Sequence, residues 1–259
     1  MTWQHVLVAI DDDLGIVTMN RPERRNALSE AHLRELMVAV EQVSSDPAVR
    51  AIVVAANGPV FSSGHDLTDM VARDLAAMEA LLGACATLMR TLQTLPQPVV
   101  AAVQGVATAA GCQLVASADL AVAADTARFA TPGGKGGWFC TTPMVAVQRT
   151  LAPKHALELL LTGDDIDAAT ALAWGLVNRV VPVDQVLGEA KALARRASRG
   201  STVAKALGKR LFYETVVLDT DAAYARAVPA MAASALDPDA REWMRAFLEK
   251  RPPVYPSRR

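Results

Sequence analysis

The sequence predicts a layered α/β domain followed by a helical tail. Three observations carry that expectation. Strand-like and helix-like stretches alternate as far as about residue 185, as a layered α/β domain requires. Val99-Val100-Ala101-Ala102-Val103 is an unbroken apolar run, the pattern of a strand covered on both faces. Beyond residue 185 the strand patterns stop and helical periodicity takes over.

The elements follow in order. Val6 to Ile10 and Ile16 to Met19 read as strands joined by the turn-forming Asp11-Asp12-Asp13-Leu14-Gly15. Asn20-Arg21-Pro22 ends this pair. Ser29 can cap a helix whose apolar residues Leu33, Leu36, Met37, Val40 and Val43 recur at three- and four-residue spacing. Ala51 to Ala55 is the next strand, and the polar stretch Phe61-Ser62-Ser63-Gly64-His65-Asp66-Leu67 follows it. A helix is expected over 71–94, broken by Pro96 and Pro98. In the tail, Asp237-Pro238-Asp239 is a strong helix start, with a capping acid, proline at the first position and another acid in the first turn. Trp243, Met244, Phe247 and Leu248 then form an apolar stripe, Lys250 and Arg251 sit at the helix's negative end, and Pro252-Pro253 stops it. A stripe of that kind packs on its own core or on another subunit.

Composition excludes several classes of function. The chain of 259 residues carries 26 basic and 27 acidic side chains, so it offers no excess of positive charge to nucleic acid. No apolar run in the sequence is expected to cross a bilayer. The N-terminus, Met1-Thr2-Trp3-Gln4-His5, lacks a basic-then-apolar export signal, which points to the cytoplasm. Cys85, Cys112 and Cys140 lie far apart with no paired spacing, so free thiols are expected and a zinc site is not. The abundance of alanine and the preference for Arg over Lys match GC-rich bacterial genomes.

Chemistry is expected at two strand ends. One is the polar stretch 61–67. The other is Gly105-Val106-Ala107-Thr108-Ala109-Ala110-Gly111-Cys112-Gln113-Leu114, whose small side chains directly follow the Val99–Val103 strand. Small residues at a strand-to-helix junction permit either close helix–sheet packing or close approach of a ligand to the backbone. The first N–H groups of a helix have no partner within it and carry partial positive charge. If both strands run parallel, both junctions lie at one sheet edge, where ligands bind. Gly64 and Ala110 can then each direct a backbone N–H at one point, forming an oxyanion hole of the kind worth several kcal/mol in acyl chemistry. Other motifs fail. Gly133 to Gly137 lacks the Ser or Thr of a phosphate loop, and Ser63, His65 and Asp66 are crowded into one turn without a nucleophile elbow. His5, His32 and His155 lack metal-ligand spacing, and Asp66 reads as a turn-stabilising side chain.

Five ordered segments resemble the crotonase superfamily of enoyl-CoA hydratases and isomerases, and within it the branch of enoyl-CoA hydratase domain-containing protein 3. They are NRPERRNALS at 20–29, GPVFSSGHDLTDM at 58–70, the run from Pro96 to Pro132, AWGLVNRVVP at 173–182 and AFLEKRPP at 246–253. The resemblance implies a crotonase-like ββα spiral over 1–185 holding an acyl-CoA site, and a C-terminal helical trimerisation region over 186–259. It implies a homotrimer or dimer of trimers, an acyl-CoA thioester ligand, and no cofactor beyond the coenzyme A carried by the substrate. The backbone N–H groups of His65 and Ala110 would hold the thioester oxygen. Arg25, Ala27, Leu28, Ser63, His65, Asp66, Leu67 and Thr68 would line the CoA path, with Gly111, Gly133, Trp138 and Phe139 at the substrate. Phe247 and Lys250 match tail positions that approach CoA, often from a neighbouring subunit.

The departures from the family pattern are chemical. Hydratases of the family carry two glutamates where this chain has Gln113 and Gly133. An amide cannot exchange protons at neutral pH, and glycine offers no side chain. The polar stretch is also similar to that of methylmalonyl-CoA decarboxylase, whose histidine is an active-site residue, although the tyrosine of that relative is matched by Phe139. Two readings follow: an enzyme that stabilises a thioester enolate, hydratase-like or decarboxylase-like with His65, or a catalytically silent acyl-CoA-binding subunit. His65 is either a proton carrier or a packing residue at the rim, and Gln113 an orienting group.

Overall fold

A computed structural model describes residues 3–258. Strands β1 (Val6–Asp11) and β2 (Leu14–Met19) pair antiparallel, Val6 opposite Met19, and α1 (Glu30–Ser45) follows. The Ser29 hydroxyl accepts from His32 N at the start of α1, as its position predicts. From there the chain repeats one unit, a long strand, a short strand and one or more helices. The first such unit is β3 (Ala51–Ala56), β4 (Val60–Ser62), α2 (Leu67–Met70) and α3 (Leu75–Thr94). The second is β5 (Val99–Val103), β6 (Val106–Thr108) and α4 (Ala110–Ser117). The third is β7 (Leu120–Ala124), β8 (Arg128–Ala130), α5 (Thr141–Thr150) and α6 (Pro153–Thr162). Then come β9 (Ile166–Asp167), α7 (Ala168–Trp174) and β10 (Arg179–Val181). Helices α8 (Val186–Ala197), α9 (Thr202–Thr215), α10 (Thr220–Ser234) and α11 (Pro238–Leu248) complete the chain.

The long strands form a six-stranded sheet in the order β1-β2-β3-β5-β7-β10, parallel from β2 onward. The short strands form a second sheet, β4-β6-β8-β9, in which β4, β6 and β8 run parallel. Each unit thus climbs from the large sheet to the small one and returns through helices, which makes a ββα spiral. The strands β3, β5 and β7 are buried almost throughout, which is why they read as continuous apolar runs.

The structure corrects four expectations. The stretch 61–67 does not leave the 51–55 strand directly: β4 intervenes, so the polar turn lies at the end of the small sheet. The helix expected over 71–94 begins later, at Leu75, where the Asp74 side chain caps α3, and a separate short helix, α2, capped by Asp66, precedes it. Helix α3 is long and apolar enough to cross a bilayer by length and by its mean hydropathy of 1.4. Its stripe of Leu81, Cys85, Leu88, Met89 and Leu92 is buried, however, and it packs against α1 and α4 as a helix lying on a core does. Finally, α8 belongs with the core in packing. Val186, Ala190, Leu193 and Ala194 are buried on the face of β3, β5 and β7, whereas α9 and α10 contain no buried residue.

Candidate active site

The site begins with the segment before α1. Arg25 and Asn26 both take left-handed backbone conformations, at φ 54° and 50°. That costs a non-glycine residue on the order of 1 kcal/mol or more, least for asparagine. Hydrogen bonds hold it in place. Buried Asn26 accepts from Arg21 N at 2.8 Å and donates through Nδ2 to the carbonyls of Asn57 at 2.9 Å and Val60 at 2.8 Å. Its own carbonyl accepts from the Ser62 hydroxyl at 2.9 Å. Behind Ala27 stands His32, whose Nδ1 lies 3.1 Å from the Ala27 carbonyl, and burial pushes its pKa down to about 4.

This segment is zipped to the stretch 62–66. Ser63 N donates to Arg25 O at 3.1 Å, Leu28 N to Gly64 O at 2.8 Å, and Asp66 N to Leu28 O at 3.3 Å. Leu28 and His65 therefore face each other across a parallel bridge. In that geometry the neighbours of His65 supply the bonds, the His65 N–H points away from the bridge, and His65 lines a cavity. Gly64 makes the turn possible. It takes φ 86°, and a Cβ there would stand 2.8 Å from Ala109 Cβ and 3.2 Å from Ala110 N. The two predicted junctions are thus in contact.

The second junction is the start of α4. Ala109 N donates to Ala130 O at 2.9 Å, while Ala109 itself takes φ 49°, ψ −117°, an unfavourable conformation for a residue with a Cβ. Gln113 N takes up Ala109 O, so Ala110 N begins the helix without an internal partner among the described residues. Gly111 lets α4 lie on β4, since a Cβ at 111 would be 2.3 Å from Ser62 O.

A cavity of about 680 Å³ opens over these donors. Of the residues expected at the site, Arg25, Ala27, Ser63, His65, Asp66, Leu67, Ala110, Gly133, Trp138 and Phe139 line it. Leu28, Gly111 and Gln113 are buried behind the lining, Thr68 is exposed beside it, and Phe247 and Lys250 lie outside it at the exposed end of α11. Cys140, which the sequence groups with Ser62, Ser63, His65 and Gln113 as a polar cluster, lines the cavity too, and the structure adds residues that local sequence reasoning missed: Glu23 and Arg24 at the rim, Leu82 from α3, and Thr141, Thr142 and Pro143 at the start of α5. Leu82 and the α5 residues arrive by tertiary packing, for which the sequence holds no local signal.

The charges sit at the rim. Asp66 pairs with Arg21 and Arg24, each at 3.3 Å, and caps α2 through Thr68 N. Burial alone would push its carboxyl up, but Arg24, Thr68 N–H and Arg21 together hold it below the usual carboxylate range. His65 has both ring nitrogens buried without a hydrogen bond, and burial lowers its pKa against the opposing pull of the Leu28 carbonyl and Asp69. Burial thus favours the neutral form of its ring. Gln113 is 4% exposed, with Oε1 buried and unpartnered. At Gly133 a Cβ would stand 2.0 Å from the Trp138 carbonyl and 2.9 Å from Cys140 Sγ. The loop is therefore folded into the space a side chain at 133 would need.

Residues 10–258 match the profile of the family described as enoyl-CoA hydratase/isomerase. The chain belongs to the enoyl-CoA hydratase/isomerase family. Among its relatives, enoyl-CoA hydratase domain-containing protein 3, mitochondrial, of Xenopus laevis is 42% identical over 97% of this chain and 87% of its own length. The human protein of that name is 40% identical over 94% of this chain and 81% of its own. Solved structures agree in fold. An enoyl-CoA hydratase of Mycobacterium smegmatis superimposes with a TM-score of 0.93 at 44% identity, covering 98% of this chain and 99% of that one. The human domain-containing protein 3 gives 0.92 at 39% identity, covering 97% and 100%. The crotonase spiral expected from the sequence is the fold of this family member.

Proposed function

We propose that this family member binds an acyl-CoA thioester with its carbonyl oxygen between the N–H groups of His65 and Ala110, and stabilises the enolate that forms there. One observation carries the reading. Two backbone donors without internal partners border one cavity, on turns that touch at Gly64. Backbone donors aimed where negative charge develops are a large electrostatic term in acyl chemistry. Arg25, Leu67 and Thr68 would line the CoA path, and Phe247 and Lys250 would join it from another copy of the chain. We infer likewise that the apolar tail is covered in a trimer or dimer of trimers, and that the enzyme works in a reducing compartment such as the cytoplasm, where Cys85, Cys112 and Cys140 remain free.

Hydration is the poorer fit for the reaction. Gln113 exchanges no protons, and the Gly133 loop leaves no room for an acid. The lining carries only two carboxylates, Glu23 and Asp66, and Asp66 is ion-paired at the rim. A decarboxylase-like reaction is the second reading, favoured by the unpartnered imidazole of His65, whose pKa burial lowers. There the bond between the α-carbon and a carboxylate breaks, carbon dioxide leaves, and its electron pair forms the enolate without a base. The enolate carbon then takes a proton from a water held beside His65, and the hydroxide left behind combines with the departing carbon dioxide as bicarbonate.

The test compares wild type, His65→Ala and Gln113→Glu on crotonyl-CoA and on a panel of acyl- and carboxyacyl-CoA thioesters, each followed by mass spectrometry. General acid–base catalysis supplies ~10²–10⁴-fold per positioned group, so hydration by the wild type should be slow. A wild type hydrating crotonyl-CoA as fast as ordinary hydratases would sink the argument from the missing acids. Unchanged turnover in His65→Ala would remove the imidazole from the chemistry, and binding without turnover across the panel would leave a silent acyl-CoA subunit.

A further inference from the structure

Helix α9 contains no buried residue, yet it delivers one charged side chain into the body of the protein. Lys209, whose side chain is 9% exposed, contacts Asp119 Oδ2 at 2.6 Å and donates to the carbonyls of Leu92 at 2.7 Å and Gln97 at 2.8 Å. Its three protons are all used. Asp119 is held from three sides. Oδ2 also accepts from Val99 N at 2.7 Å, and Oδ1 accepts from the Tyr213 hydroxyl at 2.8 Å, one turn further along α9.

The partners define a unit of the chain. Leu92 is in the last turn of α3, Gln97 is in the turn that follows, Val99 opens β5, and Asp119 follows α4. The network therefore ties together both ends of the stretch that runs up through β5 and β6 and back down through α4. At the far tip of that stretch is Ala110. Helix α4 is a short, wholly buried element with a strained residue, Ala109, at its start. Fixing its base restrains the place of its first N–H, because a helix transmits displacement as a rigid body. No residue of α9 lines the cavity, so any effect of the network on the site passes through the unit it ties.

We propose that Lys209, Asp119 and Tyr213 are positioning residues: this buried network on α9 sets where the α4 N-terminus, and with it Ala110 N–H, stands over the cavity. The inference rests on the reading of Ala110 N–H as a donor to the thioester oxygen. It makes the placement of α9 on the core a condition for a complete site.

The probes are coenzyme A itself and butyryl-CoA isotopically labelled at its thioester carbonyl. A carbonyl held by the two donors shows an infrared stretch shifted to lower frequency on binding. Tyr213→Phe removes one hydrogen bond and Lys209→Met removes the cation. In both variants a smaller shift is expected, and in Lys209→Met the affinity ratio of butyryl-CoA to coenzyme A should fall ~10-fold, as for a misplaced donor. Arg210→Gln, an exposed change on the same helix, should leave both readouts at the wild-type value. If Lys209→Met fails to fold, Tyr213→Phe carries the test. Variants that melt earlier but keep the wild-type shift and ratio would overturn the positioning role and leave a merely structural network. A wild type with no shift, or an Ala110→Pro variant that keeps it, would instead remove Ala110 as a donor and the inference with it.

Discussion

Helices α4 and α10 are both rich in small residues, yet every residue of α4 is buried and none of α10 is. The difference is one of partners. Helix α4 is enclosed by α3, α5 and the small sheet, and its glycine at 111 admits the Ser62 carbonyl at a distance no side chain could share. Helices α10 and α11 instead present Tyr224, Val228, Met231, Phe247 and Leu248 to the outside, with Met231 at 76% and Leu248 at 80% exposure. The spiral buries its core within one chain, whereas the tail leaves this apolar surface exposed.

The sharpest way to break the complete half is Gly111→Ala. The new methyl would stand 2.3 Å from Ser62 O, a backbone atom that cannot yield. Overpacking of this kind should cost about 3 kcal/mol in denaturant unfolding and abolish butyryl-CoA binding in calorimetry. Retained binding with normal stability would mean that α4 and β4 are less tightly joined than the structure has them.

A second effect of similar size concerns pH. His32 is fully buried, and its pKa falls from 6.5 to about 4 in the folded chain. Below pH 6.5 the unfolded chain binds a proton that the folded chain refuses, so stability falls with pH until about 4, where the difference is complete. The shift corresponds to roughly 3 kcal/mol. Melting temperatures of wild type and His32→Asn should converge as pH drops through that window, and parallel curves would contradict the assignment.

A smaller gain is expected from Ala109→Gly. With φ 49° and ψ −117°, Ala109 occupies backbone space that glycine enters freely, and relief should add about 1 kcal/mol of stability. The smallest effect on folding belongs to the tail. Phe247→Ser with Leu248→Ser should change unfolding of the core by less than ~0.5 kcal/mol, because both side chains are exposed. If the tail carries an interface, the same pair should lower the mass seen by light scattering; a wild type with the mass of one chain, or an unchanged mass in the variant, would contradict a tail interface.

The contrast also explains what was legible in the sequence. The strands at Val99–Val103 and 51–55, the Ser29 cap and the Asp237 cap are local events, written in hydrophobic period and side-chain hydrogen bonding, and the structure has all of them. That Gly64 and Ala110 come near one another was expected from two junctions after parallel strands, but the strands that bring them together are β4 and β6 of the small sheet, not the long strands the sequence suggested. The short strand β4 was not legible, since Val60-Phe61-Ser62 is too brief to show a period. The role of Gly133 was hidden for another reason. Its lack of a side chain reads as mere absence in sequence, while in space it is the result of the Trp138 carbonyl and Cys140 occupying that position. Leu82, Thr142 and Pro143 came to the cavity through packing of whole helices, which no short motif records.

The most direct measurement of the backbone site is the calorimetric affinity of butyryl-CoA for Ala110→Pro beside wild type and His65→Ala. Proline is well tolerated at the first position of a helix, but it removes the one N–H in question. His65→Ala keeps its backbone donor and should bind within a few-fold of wild type. Ala110→Pro should bind at least ~10-fold more weakly while melting near the wild-type temperature. Equal affinity in the proline variant would contradict a thioester oxygen held between His65 N and Ala110 N.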